Sequence, residues 1–527
     1  MYRAFIAAAL LLAPSVGCEM GSARAEQAPT ATSPSPSPSP STSTTTLTGT
    51  TALTSTAVLF VAKPGAGEPL SSPDGSEERP FPSLGAALAV APAGAMLRIG
   101  EGEFREALVI TRPVVLMGRG AERTRIVAPA ARDTALQVRG AESVQLHGLS
   151  LEGGAYCAVF SGGSHKLQRV ALRGCSQAGL SGRGASLEIL SSEVADVSGG
   201  RDGRGIDLDG GTLDARDVSL RAAGRRAIVL HRARGRLENL EVRWSSLSGL
   251  QATSGAEATV IGGVYEGFGG AALYAGGSRL GVAGARVLRA EYAVLAYRGA
   301  ELAVQGGELT DYGVAGVAMV NSHGSVEGAT IARGGTDAAI AVTHADGKRP
   351  VLLADNRISS PGTMGVHVTE SSVTARGNTI TGARLDAEQD MGDALYAVDS
   401  TLLVEDNVMR GNAGSGVAAL RSQVRLSGNG FIENGRAGIL LLDRSRGSAT
   451  GNTFERNLKA GVELGEQSRA TLGQNRFQGN PRLDVDAGCE KGLAGYAQIG
   501  PDNLAIPGEL RQRICSQAPP KPAAVRQ

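Results

Sequence analysis

Aromatic side chains are scarce in this 527-residue chain: they make up 4 % of it, with a single tryptophan. A core must therefore be filled by aliphatic and small residues. Net charge is also nearly absent, since 52 basic against 51 acidic residues leave +1. No global field exists to draw in nucleic acid or an anionic membrane, which makes the chain a poor nucleic-acid binder. The histidines are His147, His165, His231, His323, His344 and His367, and no two have a metal-binding spacing within one repeat. None of the five cysteines shows zinc-site or redox-motif spacing. What the chain does have is 42 % hydrophobic residues and 74 glycines, which supply an ample core and many turns.

The first seventeen residues combine Arg3, an apolar run from Ala4 to Ala13, and Ser15-Val16-Gly17 ahead of Cys18. This reads as a secretory signal over 1–17, too short to span a bilayer. The ending resembles the bacterial lipobox, although Ser15 stands where leucine is usual. The resemblance implies a diacylated Cys18 and an exported protein lipid-anchored in the envelope, at the outer membrane or cell surface. An ordinary signal cut near Ala23-Arg24-Ala25 is the alternative. Residues 18–57 are expected to be a tether, because from Glu26 to Ala57 the chain is nearly all Ser, Thr, Pro and Ala and has no core-forming pattern. With Cys18 acylated, four cysteines remain in an oxidising compartment, and Cys157–Cys175 with Cys489–Cys515 is the economical pairing.

From residue 58 to 480 one motif recurs: a turn, a short apolar strand, another turn, and a second strand marked by Gly-Val or Ala-Ile. Aligning the first strand gives Leu151, Leu172, Val194, Leu220, Val242 and onward to Phe477, in steps of 21 to 29 residues. A second ladder runs from Val159 and Leu180 to Val462 and keeps pace through every insertion. A period near 22 excludes the six-residue rhythm of left-handed β-helices, and the lack of helical periodicity disfavours helical solenoids. Leucine-rich repeats overlap this length but need a fixed leucine frame and one strand per repeat. The expected fold is an all-β right-handed parallel β-helix of about seventeen coils, reached by extending the ladder back to Ile110 and Ile126. Ser83 is the expected N-cap of a short helix closing the first coil, with Leu84, Leu88 and Ala91 on one face. Residues 481–527 are expected to form a closing segment and tail.

Ala95-Met96-Leu97-Arg98-Ile99, Glu103-Phe104-Arg105-Glu106 and Val114-Val115-Leu116-Met117-Gly118 resemble the opening of bacterial pectin-lyase-like proteins. Gly377-Asn378-Thr379-Ile380 and Gly451-Asn452-Thr453-Phe454 are similar to the repeat of carbohydrate-active β-helices and NosD-type periplasmic proteins. The resemblance covers residues 58 to about 480 and is specific for fold. It transfers no catalytic set, because the polygalacturonase and alginate-epimerase motifs are absent and only Arg183 and Arg204 near an acid pair distantly suggest a pectate lyase.

Several groups are candidates for chemistry. Asp207 and Asp209, preceded by Asp202, share a strand face about 6.6 Å apart. That is inside the roughly 6.5 to 9.5 Å of inverting glycosidases, so with Arg204 they form the catalytic candidate. Asp386, Glu388 and Asp390, with Asp393 in the same insertion, could chelate calcium, although a solvated acidic loop reads more simply. Tyr274, His367 and Tyr396 could offer stacking faces to a glycan, and His344 aligns with Asn321 and Glu370. Asn356, Asn378, Asn407, Asn429, Asn452 and Asn475 form one amide ladder, and Asn412, Asn434, Asn457 and Asn480 a second. The function expected is a non-catalytic, lipid-anchored, monomeric envelope protein recognising a polysaccharide or surface partner. It would require no cofactor, with calcium possible. The rivals are a polysaccharide lyase or glycoside hydrolase at Asp207 and Asp209, and a purely structural rod or adhesin.

Overall fold

The computed structural model describes residues 57–63, 72–200, 202–345, 349–388, 391–489 and 494–514. Cys18, the signal segment and nearly all of the tether lie outside these residues.

The body is a parallel β-helix of about seventeen coils with three strands per coil, one more than the sequence pattern reveals. Sheet A starts with Val58–Val61, Ala95–Ile99 and Val114–Met117, and ends with Tyr496–Ile499. Sheet B runs from Gly102–Arg105 through Thr124–Val127 to Leu504–Ile506. Sheet C runs from Leu108–Ile110 through Thr134–Arg139 to Gln512–Arg513. Sheet A escaped the repeat pattern because its strands alternate strictly, as in Gln423–Ser427 with its QVRLS sequence, and this alternation reads as a polar turn with isolated aliphatics. The first sequence ladder is the inward row of sheet B, and each of its steps is a register pair.

Three boundary readings change. The sheet C ladder opens at buried Ala158, which pairs with Leu180, whereas Val159 pairs with Ser181 on the outer face. A one-residue slip flips the face, so neighbouring apolar residues are easily confused. Ile110 belongs to sheet C opposite Val138, and the residue beneath Ile126 in sheet B is Phe104. Beyond Pro481 the chain adds Leu483–Asp486, Tyr496–Ile499, Leu504–Ile506 and Gln512–Arg513 to the three sheets, so much of the expected closing segment is a further coil.

The lumen is aliphatic, with Phe431, Phe454 and Phe477 stacked at centroid spacings of 5.1 and 4.8 Å. The Gly-Val and Ala-Ile signature has a steric cause. The chain enters sheet C on a bend that turns two consecutive residues inward, and the first must be small. A Cβ on Gly416 would sit 2.5 Å from the Phe431 ring and 2.6 Å from the Gly438 carbonyl.

The turns from sheet A to sheet B carry the first asparagine ladder. Each Oδ1 accepts from the backbone N–H and Nδ2 of the asparagine one coil earlier, as Asn407 does from Asn378 at 2.9 and 2.8 Å. Asn412, Asn434, Asn457 and Asn480 repeat the arrangement between sheets B and C. Two features escaped sequence reading. Asn503 extends the first ladder beyond Asn475, and Ser371, Ser400, Ser422, Ser445 and Ser468 form a hydroxyl ladder between sheets C and A.

At the first coil the helix Leu84–Val90 buries Leu84 and Ala87, and the Ser83 hydroxyl accepts from Ala86 N–H as expected of an N-cap. The Glu106 carboxylate accepts from Leu84 and Gly85 N–H at 2.9 and 2.8 Å. Cys157 and Cys175 are joined in a disulfide between adjacent coils. Cys489 is also disulfide-bonded, and Cys515, its expected partner, lies outside the described residues.

Candidate functional site

After the inward pair, the strands of sheet C alternate, so their outer face is built from three columns of side chains about 4.8 Å apart from coil to coil. The column nearest the sheet B turn includes Arg204, Arg226 and Ser248. The middle column includes Asp207, Val229, Gln251, Tyr274 and Leu295, and further on His367 and Tyr396. The last includes Arg183, Asp209, His231 and Thr253. From Asp207 to Leu440 the middle column passes from charged through polar and aromatic to apolar side chains, and Glu463 and Asp486 then return it to charge.

The charged stretch holds the catalytic candidates. Asp207 and Asp209 do face outward together, but each is occupied. Arg204 donates to Asp207 at 2.6 Å, and Arg232 forks onto Asp209 at 2.7 and 2.9 Å. Hydrogen bonding by Arg232 holds the Asp209 carboxyl below its ordinary range. A glycosidase acid needs the reverse, a carboxyl that keeps its proton near neutrality.

Next come three tyrosines on adjacent strands, of which the sequence alone pointed to one. Tyr274 stands beside the strand that carries Tyr292 and Tyr297, and Tyr297 registers with Gly276. Burial raises the Tyr274 and Tyr292 hydroxyls above the usual phenol range, so both stay protonated donors. The Arg298 guanidinium lies 5.1 Å from the Tyr297 ring centroid. On the adjoining turn Trp244 is 55 % exposed, with Arg289 5.4 Å from its ring. Being the sole tryptophan was the only sequence signal it had.

His367 and Tyr396 meet as expected, with ring centroids 5.7 Å apart, but they lie four and five coils from Tyr274, so the three do not form one site. Nor is Tyr396 an open stacking face. It is 6 % exposed and packed with Ala338, Met364, Ala418 and Leu440, with Met391 of the long insertion laid against them. Asp337 approaches His367 Nδ1 at 3.7 Å, and Thr369 Oγ1 lies 3.1 Å from Nε2. His344 pairs with Glu370 at 3.3 Å, consistent with their predicted alignment.

The calcium candidates do not converge among the described residues, which contain no group of three or more His, Cys, Asp or Glu side chains able to hold a metal ion. Asp386 accepts from Met391 N–H at 3.4 Å, Glu388 is exposed, and Asp390 lies outside the described residues. Asp393 departs from the solvated-loop reading. It is 5 % exposed and accepts from Ser415 N–H at 2.5 Å, and burial pushes its pKa up to about 6.

Three continuous parallel sheets wound about an aliphatic lumen define a parallel β-helix protein. The family model for the right handed beta helix region matches residues 338–494, in agreement with the parallel β-helix expected from the repeats. Among solved structures, the chain is similar to the A-module of a mannuronan C-5 epimerase of Azotobacter vinelandii at 16 % identity, covering 81 % of this chain and 95 % of that one with a TM-score of 0.31. It is similar also to the catalytic unit of a GH87 α-1,3-glucanase of Streptomyces thermodiastaticus at 13 % identity, covering 87 % and 72 % with a TM-score of 0.26. A pectate lyase matches at 11 % identity, covering 85 % and 78 % with a TM-score of 0.23. No curated protein matches the chain.

Proposed function

We propose that the protein is an exported, lipid-anchored envelope protein that recognises a polysaccharide through the outer face of sheet C without cleaving it. The observation that carries this reading is the pairing of Tyr274 with Tyr297 and Arg298 on the adjacent strand and turn, with hydrogen-bonding Gln251 and Thr253 one strand away on the other side and Tyr292 further along the Tyr297 strand. Rigid amphipathic rings beside polar groups on a regular surface match the alternating apolar faces and hydroxyls of a sugar chain. Recognition is favoured over hydrolysis at Asp207 and Asp209 because both carboxylates are committed to arginines. The test is binding of the purified protein to a glycan array, with reducing ends or unsaturated products assayed in parallel. A Tyr274→Ala, Tyr297→Ala variant should lose about tenfold or more in affinity at unchanged melting. Undiminished binding by that variant, or product release by the wild type, overturns the proposal.

A further inference from the structure

On the outer face of sheet C, Arg226 stands out electrostatically. It occupies the column between Arg204 and Ser248, about 4.8 Å from each along the sheet. Arg204 is neutralised by Asp207 at 2.6 Å, but Arg226 has no ion pair among the described residues, and its Nε is buried without a hydrogen-bond partner. Ser248, 4 % exposed, likewise has an Oγ with no partner. Burial, then Arg225 and Arg204, weaken the hold of Arg226 on its proton, and Asp202 and Asp207 offset this in part. Thus two buried polar groups in register are unsatisfied, beside like charges that disfavour one another. Ordered water could satisfy the Nε and the hydroxyl, but it would leave the Arg226 charge only partly compensated by Asp202 and Asp207.

We propose that Arg226 and Ser248 form an oxyanion site that takes the carboxylate, sulfate or phosphate substituent of an acidic saccharide. The site rests on the reading of sheet C as a glycan-binding face. Its position fits that reading, since Ser248 begins the strand carrying Gln251, and the next strand carries Tyr274. A chain laid along the face would place an anionic group over Arg226 and its following sugars over the tyrosines. The guanidinium fork suits planar or tetrahedral oxyanions, with the Ser248 hydroxyl as an additional donor.

The test is calorimetric titration of the full-length protein with an oligogalacturonate hexamer, a sulfated cellohexaose and neutral cellohexaose. At least one acidic hexamer should bind about tenfold more tightly than the neutral one. Arg226→Gln should abolish that preference and leave the neutral hexamer unaffected, Arg226→Lys should keep part of it, and Ser248→Ala should reduce it. Equal binding of acidic and neutral hexamers, or a preference that survives Arg226→Gln, overturns the oxyanion site. The glycan face still stands in that case if Tyr274→Ala weakens all three hexamers. If no hexamer binds, the glycan face falls, and sodium sulfate decides the anion site alone. Sulfate should then raise the melting temperature of the wild type above that of Arg226→Gln at matched ionic strength, and equal shifts overturn the proposal.

Discussion

Asn475 Oδ1 receives both the backbone N–H and the Nδ2 of Asn452, each at 3.0 Å, so one amide oxygen satisfies two buried donors of the preceding coil. Asn452 in turn accepts from Asn429 and donates to the Leu426 carbonyl. Each ladder member therefore serves its own turn and both neighbours.

Asn452→Ala should accordingly be costly. It leaves Asn429 N–H, Asn429 Nδ2 and the Leu426 carbonyl without these partners inside the solenoid, and the loss should be about 2 to 4 kcal/mol. Coils of a solenoid can open separately, so hydrogen exchange of residues 425–480 is the appropriate measurement. Protection equal to wild type there would show that the ladder is not energetically coupled. An exposed ion-pair change such as Asp209→Asn should shift stability by less than about 1 kcal/mol.

Asp393 should give the protein a specific pH dependence. Its folded pKa of about 6 lies above the ordinary aspartate value of 3.8, so the native state binds more protons than the unfolded state between these limits. Its contribution is fully present below 3.8 and is lost as pH rises through about 6. The loss is about 3 kcal/mol in total. Asp393→Asn cannot ionise and should remove this component. Denaturation of both proteins from pH 3.5 to 7.5 measures it, and parallel curves would refute the assignment.

Reduction of Cys157–Cys175 should destabilise the early coils, because the bond closes a separation of 18 residues worth about 3 kcal/mol in the chain-entropy model. Paired Cys157→Ala and Cys175→Ala changes should reproduce the loss. Non-reducing peptide mapping should also recover Cys489 joined to Cys515. A Cys489 peptide linked elsewhere would overturn that pairing.

Acylation of Cys18 predicts that the wild type partitions with membranes and that Cys18→Ala is released as soluble protein. Fractionation checks this, and identical behaviour of the two under the same salt wash would count against the anchor.

The sequence by itself determined the solenoid, its period and the inward rows of sheets B and C, because steric and hydrogen-bonding demands recur every coil. Gly416 must be small whatever lies outside it, and Asn407 must bridge two turns wherever the ladder runs. Sheet A was illegible because single aliphatics among polar residues look like turns until a neighbouring strand supplies their register. The outer face was only partly legible. Alternation placed Asp207 and Asp209 on one side, but their arginine partners include Arg232, 23 residues from Asp209, and only winding the coil brings these two together. The same winding packs Tyr396 among Ala338, Met364 and Ala418 of neighbouring coils, desolvates Asp393 and leaves the Arg226 Nε without a hydrogen-bond partner among the described residues. Burial and pairing on this surface depend on contacts between successive coils, and local sequence patterns do not encode which groups are left unsatisfied.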